Sequence, residues 1–341
     1  MKRMLFPLVM IVLSLLVVLS GCTTGASGSK DQSAGSGAGK NAGDSGEKVL
    51  LLNNGEEPTS LDPPIGFDSV SYNILNNTME GLTRLGKDNQ PHPAIASEWD
   101  VSKNGKVYTF KLRKDAKWSN GDPVTAQDFE YAWKRLANPE TAAAPAFLSY
   151  IIKGAEAYNT GKGSADDMMV KAVDDHTLKV TLAYPQSYFL SVISNPCFFP
   201  VNKKVVENNP KWASDADTLV TNGPFTITKW EHDNQIVMKK NPNYWDADTV
   251  KLDKVIWKMI NDPNTEYQMY KTDELHTSDV PSDLSEQLFK SGKVKVAKQA
   301  GTYFYRFNTN MKPFDNQKIR KAFSLAINRE NIVKYITKNK E

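Results

Sequence analysis

The chain has 341 residues, of which 40% are apolar and 24% are charged. These are ordinary globular values, and they exclude a wholly disordered or collagen-like protein. The formal net charge of only +3 does not indicate a strongly basic surface, so no nucleic-acid partner is expected.

The N-terminus has the pattern of an export signal. Lys2 and Arg3 form a short basic region, and the apolar run that comes next is shorter than the ~20 residues of a membrane span. The run ends at Leu19-Ser20-Gly21-Cys22, which resembles a bacterial lipobox, where the cysteine carries diacylglycerol after cleavage. We expect a lipoprotein signal peptide at residues 1–22 with Cys22 as the lipidation site. A plain secretory signal is the alternative.

The next segment is typical of a flexible tether. Gly, Ser and Ala fill 16 of the 22 positions in residues 25–46. Such a composition cannot bury enough apolar surface to offset the entropy lost on ordering. We expect a tether at residues 23–47 that holds a globular body outside the membrane.

Strand and helix patterns then alternate along the chain. A strand is predicted at Val49–Leu52, a helix from Ser69 or Ser71 to Met79, and an alternating strand at residues 106–112. Thr125 with Asp128 predicts a capped helix, in which Phe129, Trp133 and Leu136 share one face.

The second half continues the mixed pattern and predicts an α/β or α+β fold. The predicted strands and helices are Thr177–Leu182, the hairpin Phe225–Trp230 with Gln235–Lys240, strand Val255–Ile260, helix Asn264–Lys271, strands Val294–Val296 and Tyr303–Phe307, and helices Ile319–Ile327 and Ile332–Ile336.

Catalytic and metal motifs are absent from the sequence. The chain has two cysteines and four isolated histidines, and no HExxH, CxxC, GxSxG or Walker-type stretch occurs. We therefore expect no metal site, no cofactor and no enzymatic activity. A secreted hydrolase is a remote alternative, since carboxylates from distant residues could still meet.

Several stretches of the sequence resemble one protein family, and they occur in the family's order and at compatible spacing. They are Glu57-Pro58-Thr59-Ser60-Leu61-Asp62-Pro63, Glu80-Gly81-Leu82, Ala116 to Ala126 (AKWSNGDPVTA), Thr221-Asn222-Gly223-Pro224-Phe225, Lys240 to Trp245 (KNPNYW), and Arg306-Phe307-Asn308 with Ile319 to Ala322 (IRKA). Together they resemble the bacterial extracellular solute-binding proteins of the peptide and nickel class, solute-binding protein family 5. The similarity is greatest to the oligopeptide-binding lipoproteins of ABC transporters.

The resemblance implies a two-lobed α/β fold of the periplasmic-binding-protein type (class II) with an extra inserted α/β domain. In that layout residues 48–80 and 204–303 form the first lobe, residues 81–203 the inserted domain, and residues 304–341 the start of the second lobe. A complete lobe needs on the order of 100–150 residues, so the resemblance implies that most of the second lobe is missing.

Candidate ligand contacts come from the same layout. Phe67, Asp68 and Ser69 lie where the family runs a ligand-contacting strand; the alternative is an ordinary loop before a helix. Tyr303, Phe304 and Tyr305 lie where the chain crosses between lobes, with Tyr303 and Tyr305 on one face of a strand. His276 and Thr277 would end a first-lobe strand near the cleft.

Other conspicuous residues are interpreted as structural. Trp99, Trp118 and Trp133 are expected to form the core of the inserted domain, and Cys197 is expected to be a buried free thiol. No site is assigned to any of them.

The predicted function is the capture of oligopeptides and their delivery to the permease and ATPase subunits of an ABC importer. The protein is expected to act as a monomer, held by its N-terminal lipid at the extracellular face of the cell membrane, or on the periplasmic side in a cell with an outer membrane. The same fold could instead bind a nickel chelate, haem, a dipeptide or an oligosaccharide, or act as a surface peptide or pheromone sensor.

Overall fold

The computed structural model describes residues 46–297 and 302–338. The predicted signal peptide, Cys22 and residues 23–45 of the predicted tether lie outside the described residues. Every strand, helix and contact given for the protein lies within the described part.

Short strands and helices alternate through the described residues. The strands are β1 Val49–Asn53, β2 Thr83–Leu85, β3 Pro91–Pro93, β4 Ala96–Val101, β5 Val107–Leu112, β6 Val170–Asp174, β7 Thr177–Thr181, β8 Phe225–Glu231, β9 Gln235–Lys240 and β10 Lys254–Lys258. The helices are α1 Ser69–Thr78, α2 Ala126–Ala137, α3 Ala155–Asn159, α4 Phe189–Val192, α5 Lys203–Asn208, α6 Pro263–Lys271, α7 Ser285–Lys290, α8 Gln317–Ala326 and α9 Arg329–Asn331, followed by a π-helical segment Ile332–Thr337.

One four-stranded sheet has the order β1-β10-β9-β8. The first pair is parallel, with Leu51 opposite Ile256, and the other pairs are antiparallel. The predicted hairpin is confirmed: Glu231 pairs with Gln235, and Asp233 in the turn has φ +58°, a left-handed conformation that Asp tolerates. This sheet therefore joins a strand from the start of the described chain to strands from well beyond its middle.

A second four-stranded sheet, β4-β5-β7-β6, is wholly antiparallel. Helix α2 packs on it with Phe129, Trp133 and Leu136 fully buried, as their spacing predicts. Asp128 accepts a hydrogen bond from the backbone N–H of Thr125 at 2.9 Å, which confirms the predicted helix start. The apolar face of one helix and the inner face of one sheet thus form the core of this part of the chain.

The structural residues mostly lie as predicted. Trp118 and Trp133 are fully buried, but Trp99 is only partly buried because it lies on the edge strand β4. Cys197 is 1% exposed, and burial raises the pKa of its thiol to about 12. It is therefore protonated and shielded at neutral pH.

A close backbone contact joins the loop before β8 to the end of α1. The N–H of Gly223 donates to the carbonyl of Thr78 at 2.8 Å. A methyl group at Gly223 would lie 2.5–2.7 Å from backbone atoms of Thr78 and Met79. Only glycine fits here without moving one of the two backbones.

Two predicted strands are wrong. Residues 294–296 and 302–307 form no strand, because no described backbone group pairs with either segment. Alternating apolar residues favour an extended chain, but a strand also needs a neighbour that supplies the ladder of hydrogen bonds.

Candidate functional site

The predicted ligand segment, Phe67 to Ser69, lies at the surface and ends at the first residue of α1. Residues 61–64 before it are buried, whereas Phe67 and Ser69 are exposed, with 41% of Phe67 accessible. The adjacent Pro63 and Pro64 keep this stretch out of regular structure. The chain therefore presents an aromatic ring and a hydroxyl group to solvent here.

The middle residue of that segment, Asp68, is committed to the N-terminus of α1. One carboxylate oxygen accepts from the backbone N–H of Ser71 at 2.7 Å, and the other accepts from the Ser71 hydroxyl at 2.9 Å and from the Thr59 hydroxyl. The first of these bonds satisfies a helix donor that would otherwise lack a partner. Asp68 thus fixes the position of Phe67, and its carboxylate already has three partners.

An aromatic cluster surrounds Phe67. Its ring meets Tyr72 edge-on at 6.1 Å and Phe147 edge-on at 6.5 Å between centroids. Tyr72 in turn donates a hydrogen bond to Asn195 at 2.7 Å. Sequence reasoning missed Phe147, because it lies in the 3₁₀ segment Ala146–Ile151, whose period matches neither a strand nor an α-helix.

His276 does not end a strand, contrary to the prediction. Its backbone N–H donates to the carbonyl of Leu51 at 2.9 Å, and its Nδ1 accepts from the Leu51 N–H at 3.1 Å. His276 thereby pairs with both the N–H and the carbonyl of Leu51 on the edge strand β1. Thr277 beside it is exposed.

Tyr303, Phe304 and Tyr305 are all strongly exposed, at 95%, 66% and 73%. Neither face of this segment is packed within the described residues, and a role for these side chains as cleft contacts stays a prediction. The rings of Tyr303 and Tyr305 do contact each other, at 6.4 Å, as alternation predicts for an extended chain. In the described part of the chain, the structure brings neither these tyrosines nor His276 into contact with Phe67.

A buried ion pair anchors the loop that leads to Phe67. Arg135 on α2 donates two hydrogen bonds to the carboxylate of Asp62, at 3.0 and 2.8 Å. The side chains are only 20% and 12% exposed. This fork-shaped pairing fixes the loop against the second sheet's helix.

A second buried acid, Glu80, lies where the chain leaves α1. Its carboxylate accepts from Tyr244 at 2.9 Å, from Trp245 at 2.6 Å and from Arg84 at 3.1 Å. Burial raises the pKa of Glu80, and the hydrogen bonds of Trp245 and Tyr244 and the charge of Arg84 act against that rise. The network holds the start of β2 against the loop after β9.

A third charged cluster, around Glu57, holds the turn of the β8–β9 hairpin. Glu57 accepts from His232 Nδ1 at 2.7 Å, from Trp230 at 2.9 Å and from the Asp233 N–H at 2.9 Å. Asp215 lies 3.6 Å from His232 Nε2. The hydrogen bond with Glu57 raises the pKa of His232.

Neither a metal cluster nor a membrane-spanning helix occurs among the described residues. They contain no group of three or more His, Cys, Asp or Glu side chains able to hold a metal ion. They also contain no helix long and apolar enough to span a bilayer.

Comparison with known proteins supplies the context for these residues. Residues 90–341 match the model of the bacterial extracellular solute-binding proteins, family 5. The dipeptide-binding protein DppE of Bacillus subtilis is 58% identical over 97% of this chain, and the oligopeptide-binding protein OppA of the same organism is 44% identical over 98%. The chain spans 60% and 62% of the lengths of these two relatives.

Solved structures agree with that match. Listeria monocytogenes OppA bound to peptide is similar with a TM-score of 0.77 and 38% identity, over 86% of this chain and 59% of that one. The murein tripeptide binding protein MppA of Escherichia coli has a TM-score of 0.82 at 33% identity, over 86% and 58%. The pheromone receptor PrgZ has a TM-score of 0.81 at 34% identity, over 84% and 58%.

Proposed function

Because the chain belongs to the bacterial extracellular solute-binding proteins of family 5, we propose that it captures short peptides outside the cell for an ABC importer. The observation that carries this proposal is the 58% identity to a dipeptide-binding protein along 97% of the chain. Oligopeptide-binding relatives at 44% and 36% identity point to the same solute class. Permease and ATPase subunits would be the partners, and the protein would act as a monomer.

The proposed division into lobes rests on where the two large sheets take their strands. The strands β1, β8, β9 and β10 come from residues 48–80 and 204–303, the proposed first lobe. The strands β4 to β7 come from residues 81–203, the proposed inserted domain. Residues 304–341 would belong to the second lobe.

The proposed ligand contact is the segment Phe67 to Ser69. A protein that accepts many peptides must hold what they share, which is the backbone and the charged termini. An exposed segment fixed by Asp68 and flanked by aromatic rings suits that task. Tyr303, Phe304 and Tyr305, all exposed, are proposed as contacts from the crossover, whereas His276 is a weaker proposal because Leu51 already engages it.

Calorimetric titration of the chain with dipeptides and with tri- to pentapeptides tests the proposal. We expect saturable binding, with the preferred peptide length separating dipeptide from oligopeptide specificity. Phe67→Ala should weaken binding about tenfold if the ring is a buried contact. Tyr270→Ala, which removes a comparably exposed ring from α6, is the matched control. The absence of saturable binding to every peptide tested would overturn the proposal.

Lipid anchoring at Cys22 is part of the proposal. Globomycin should cause an unprocessed form to accumulate, and Cys22→Ser should release the protein or leave it uncleaved. More than one acyl chain is needed for stable anchoring. A Cys22→Ser protein that stays at the membrane with normal processing would refute the lipid anchor.

Peptide sensing is a second candidate, favoured by the similarity to the pheromone receptor PrgZ. The same ligand segment would serve both functions. Deletion of the gene should abolish uptake of a labelled peptide if the protein serves import. Normal uptake combined with loss of a peptide response would favour sensing.

A further inference from the structure

An apolar groove lies beside the proposed ligand segment. Its lining includes Phe147, Tyr150 and Ile151 from the 3₁₀ segment, Tyr184 and Tyr188 from the loop after β7, and Val192 at the end of α4. The groove has a volume of about 260 Å³. Pockets for whole small molecules usually measure roughly 300–1,000 Å³, so this one suits a single side chain of a larger ligand.

The aromatic residues of the groove are unusually exposed for their size. Phe147 is 55% accessible, Tyr188 is 56% and Tyr184 is 71%. Single exposed apolar residues need no explanation, but a contiguous cluster around a concavity marks a binding surface. We therefore expect a bound molecule to cover these exposed rings with an apolar group.

The chemistry of the lining selects the kind of occupant. No side chain that lines the groove within the described residues carries a formal charge, and the hydroxyl of Tyr150 is already bonded to Asn159 at 2.6 Å. At the rim, the Lys106 ammonium lies 5.9 Å from the centre of the Tyr184 ring. An apolar side chain fits this surface, and a cationic one would be repelled.

The groove is continuous with the segment that is proposed to hold the peptide. Phe147 lines it, and its ring contacts the exposed ring of Phe67 edge-on. We propose that the groove receives one large apolar side chain, aromatic or leucine-like, of the bound peptide and so sets the sequence preference of the protein. This inference rests on the proposed peptide-binding function.

Matched peptides test the proposal on the complete chain. In an alanine-based pentapeptide set, Phe, Lys or Ala is placed at each position in turn, and affinities are measured by calorimetry. Burying part of a phenyl ring predicts about tenfold tighter binding for Phe than for Ala at one position. Lys at that position should bind no better than Ala.

Variants locate the preference. The double variant Tyr184→Ala, Tyr188→Ala should reduce the Phe-to-Ala affinity ratio to about twofold or less, while the Ala peptide binds as before. Both side chains are more than half exposed, so the variant should fold, which circular dichroism checks. Gln186→Glu places a carboxylate in the lining and should shift the preference toward Lys. The control variant Tyr270→Ala should change neither the Phe-to-Ala nor the Lys-to-Ala affinity ratio.

The outcomes separate the two proposals. Peptide binding in which no position prefers Phe, or in which the preference survives the double variant, overturns the groove inference and leaves the proposed function standing. No binding of any peptide overturns both.

Discussion

At the scale of single residues, the ion pair between Asp62 and Arg135 illustrates how a buried charge can stabilise a surface loop. Two long-range hydrogen bonds connect the loop before Phe67 to α2, and both partners are largely withdrawn from water. Removal of either partner leaves the other charge buried without compensation. The cost of that loss exceeds the net value of the intact pair.

We therefore predict that Asp62→Ala lowers the free energy of unfolding by about 3 kcal/mol, the low end for breaking a buried pair. Chemical denaturation measures the loss. The double variant Asp62→Ala, Arg135→Met should recover part of it, because the orphaned charge is gone. Glu286→Ala, which breaks the exposed pair with Lys290, is the control and should cost less than about 0.5 kcal/mol. Equal costs in the two single variants would contradict this argument.

The His232 cluster gives a prediction for pH. Glu57 and Asp215 favour the protonated ring, so the pKa of His232 lies above its ordinary value of 6.5. Because this pKa is higher in the folded than in the unfolded state, protonation of the ring stabilises the fold. That stabilisation is fully present below about pH 6.5 and is lost as the pH rises through the pKa of the folded state.

NMR titration should therefore find the His232 ring half-protonated above pH 6.5, and Glu57→Gln should return its pKa toward that value. Because Gln can still accept hydrogen bonds from Trp230 and Asp233, this variant isolates the charge. The stability difference between the native chain and His232→Gln should shrink as the pH rises above 6.5. A difference that stays constant from pH 6 to pH 9 would show that the cluster is not pH-dependent.

At the scale of secondary-structure elements, the start of α2 depends on Asp128. Its carboxylate accepts from the Thr125 N–H at 2.9 Å, from the Trp118 indole at 3.2 Å and from the Lys203 N–H at 3.3 Å, and it is almost fully buried. Burial raises the pKa of this carboxyl, which the hydrogen bonds oppose. One side chain thus joins the helix start, an indole buried in the core and the start of α5.

Asp128→Ala should destabilise the protein by about 2 kcal/mol or more, since the helix loses one half of its capping box and the buried Trp118 N–H loses its partner. Asp128→Asn should cost less, because one acceptor oxygen remains. Gln127→Ala, at the neighbouring exposed position, should change stability by less than about 0.5 kcal/mol. Thermal unfolding of the three variants provides the comparison, and an Asp128→Ala protein as stable as Gln127→Ala would refute it.

Elements bounded by clear cap or turn residues were predictable, and those without such boundaries were not. The α2 helix and the β8–β9 hairpin have helical spacing or strand alternation together with clear cap or turn residues. Strands β4 and β6 were missed; each contains a register shift, at Ala96/Glu98 and at Ala172/Asp174. Strand β8 has a shift too, at Ile227/Lys229, but the polar turn that follows it still marks the hairpin. Strands 294–296 and 303–307 were wrongly predicted because alternation says nothing about whether a partner strand is present.

For the candidate site, the sequence predicted a segment but not the residues that hold it in place. The resemblance placed a ligand segment at Phe67 to Ser69, whereas Phe147, which contacts Phe67, and Arg135, which holds Asp62 in the preceding loop, come from another part of the chain. Contacts between residues so far apart in sequence leave no local pattern. The assignment of ligand roles to these residues is still a prediction.

At the scale of the whole molecule, the second sheet and α2 lie within the proposed inserted domain, and their buried side chains continue into one apolar cluster with Leu61, Ile74 and Ile236. The strands of this sheet, α2 and the buried Trp118 and Trp133 all lie within residues 81–203. The links of this domain to the rest include the Asp62–Arg135 pair and the hydrogen bond of Ser119 to Thr221, 2.7 Å long. A part of a chain with its own apolar core can in principle fold alone.

A fragment of residues 81–203 should therefore fold alone, though with less stability than in the complete chain. Near-ultraviolet circular dichroism should report fixed tryptophan environments, and heating should produce one cooperative transition. The same fragment with Trp133→Ala should lose that transition, since a large core cavity costs about 3–5 kcal/mol. A native fragment without cooperative unfolding would contradict the proposed domain division.

The contact between Gly223 and α1 has a consequence for how such a protein can change over generations. Backbone atoms cannot rotate out of the way as side chains can, so a methyl group at Gly223 must displace either the loop or the end of α1. The residue pair after that helix end, Glu80 and Gly81, starts the chain's path into the second sheet. A substitution at Gly223 would thus change the geometry between two parts of the molecule. Mutational drift should therefore be blocked at Gly223.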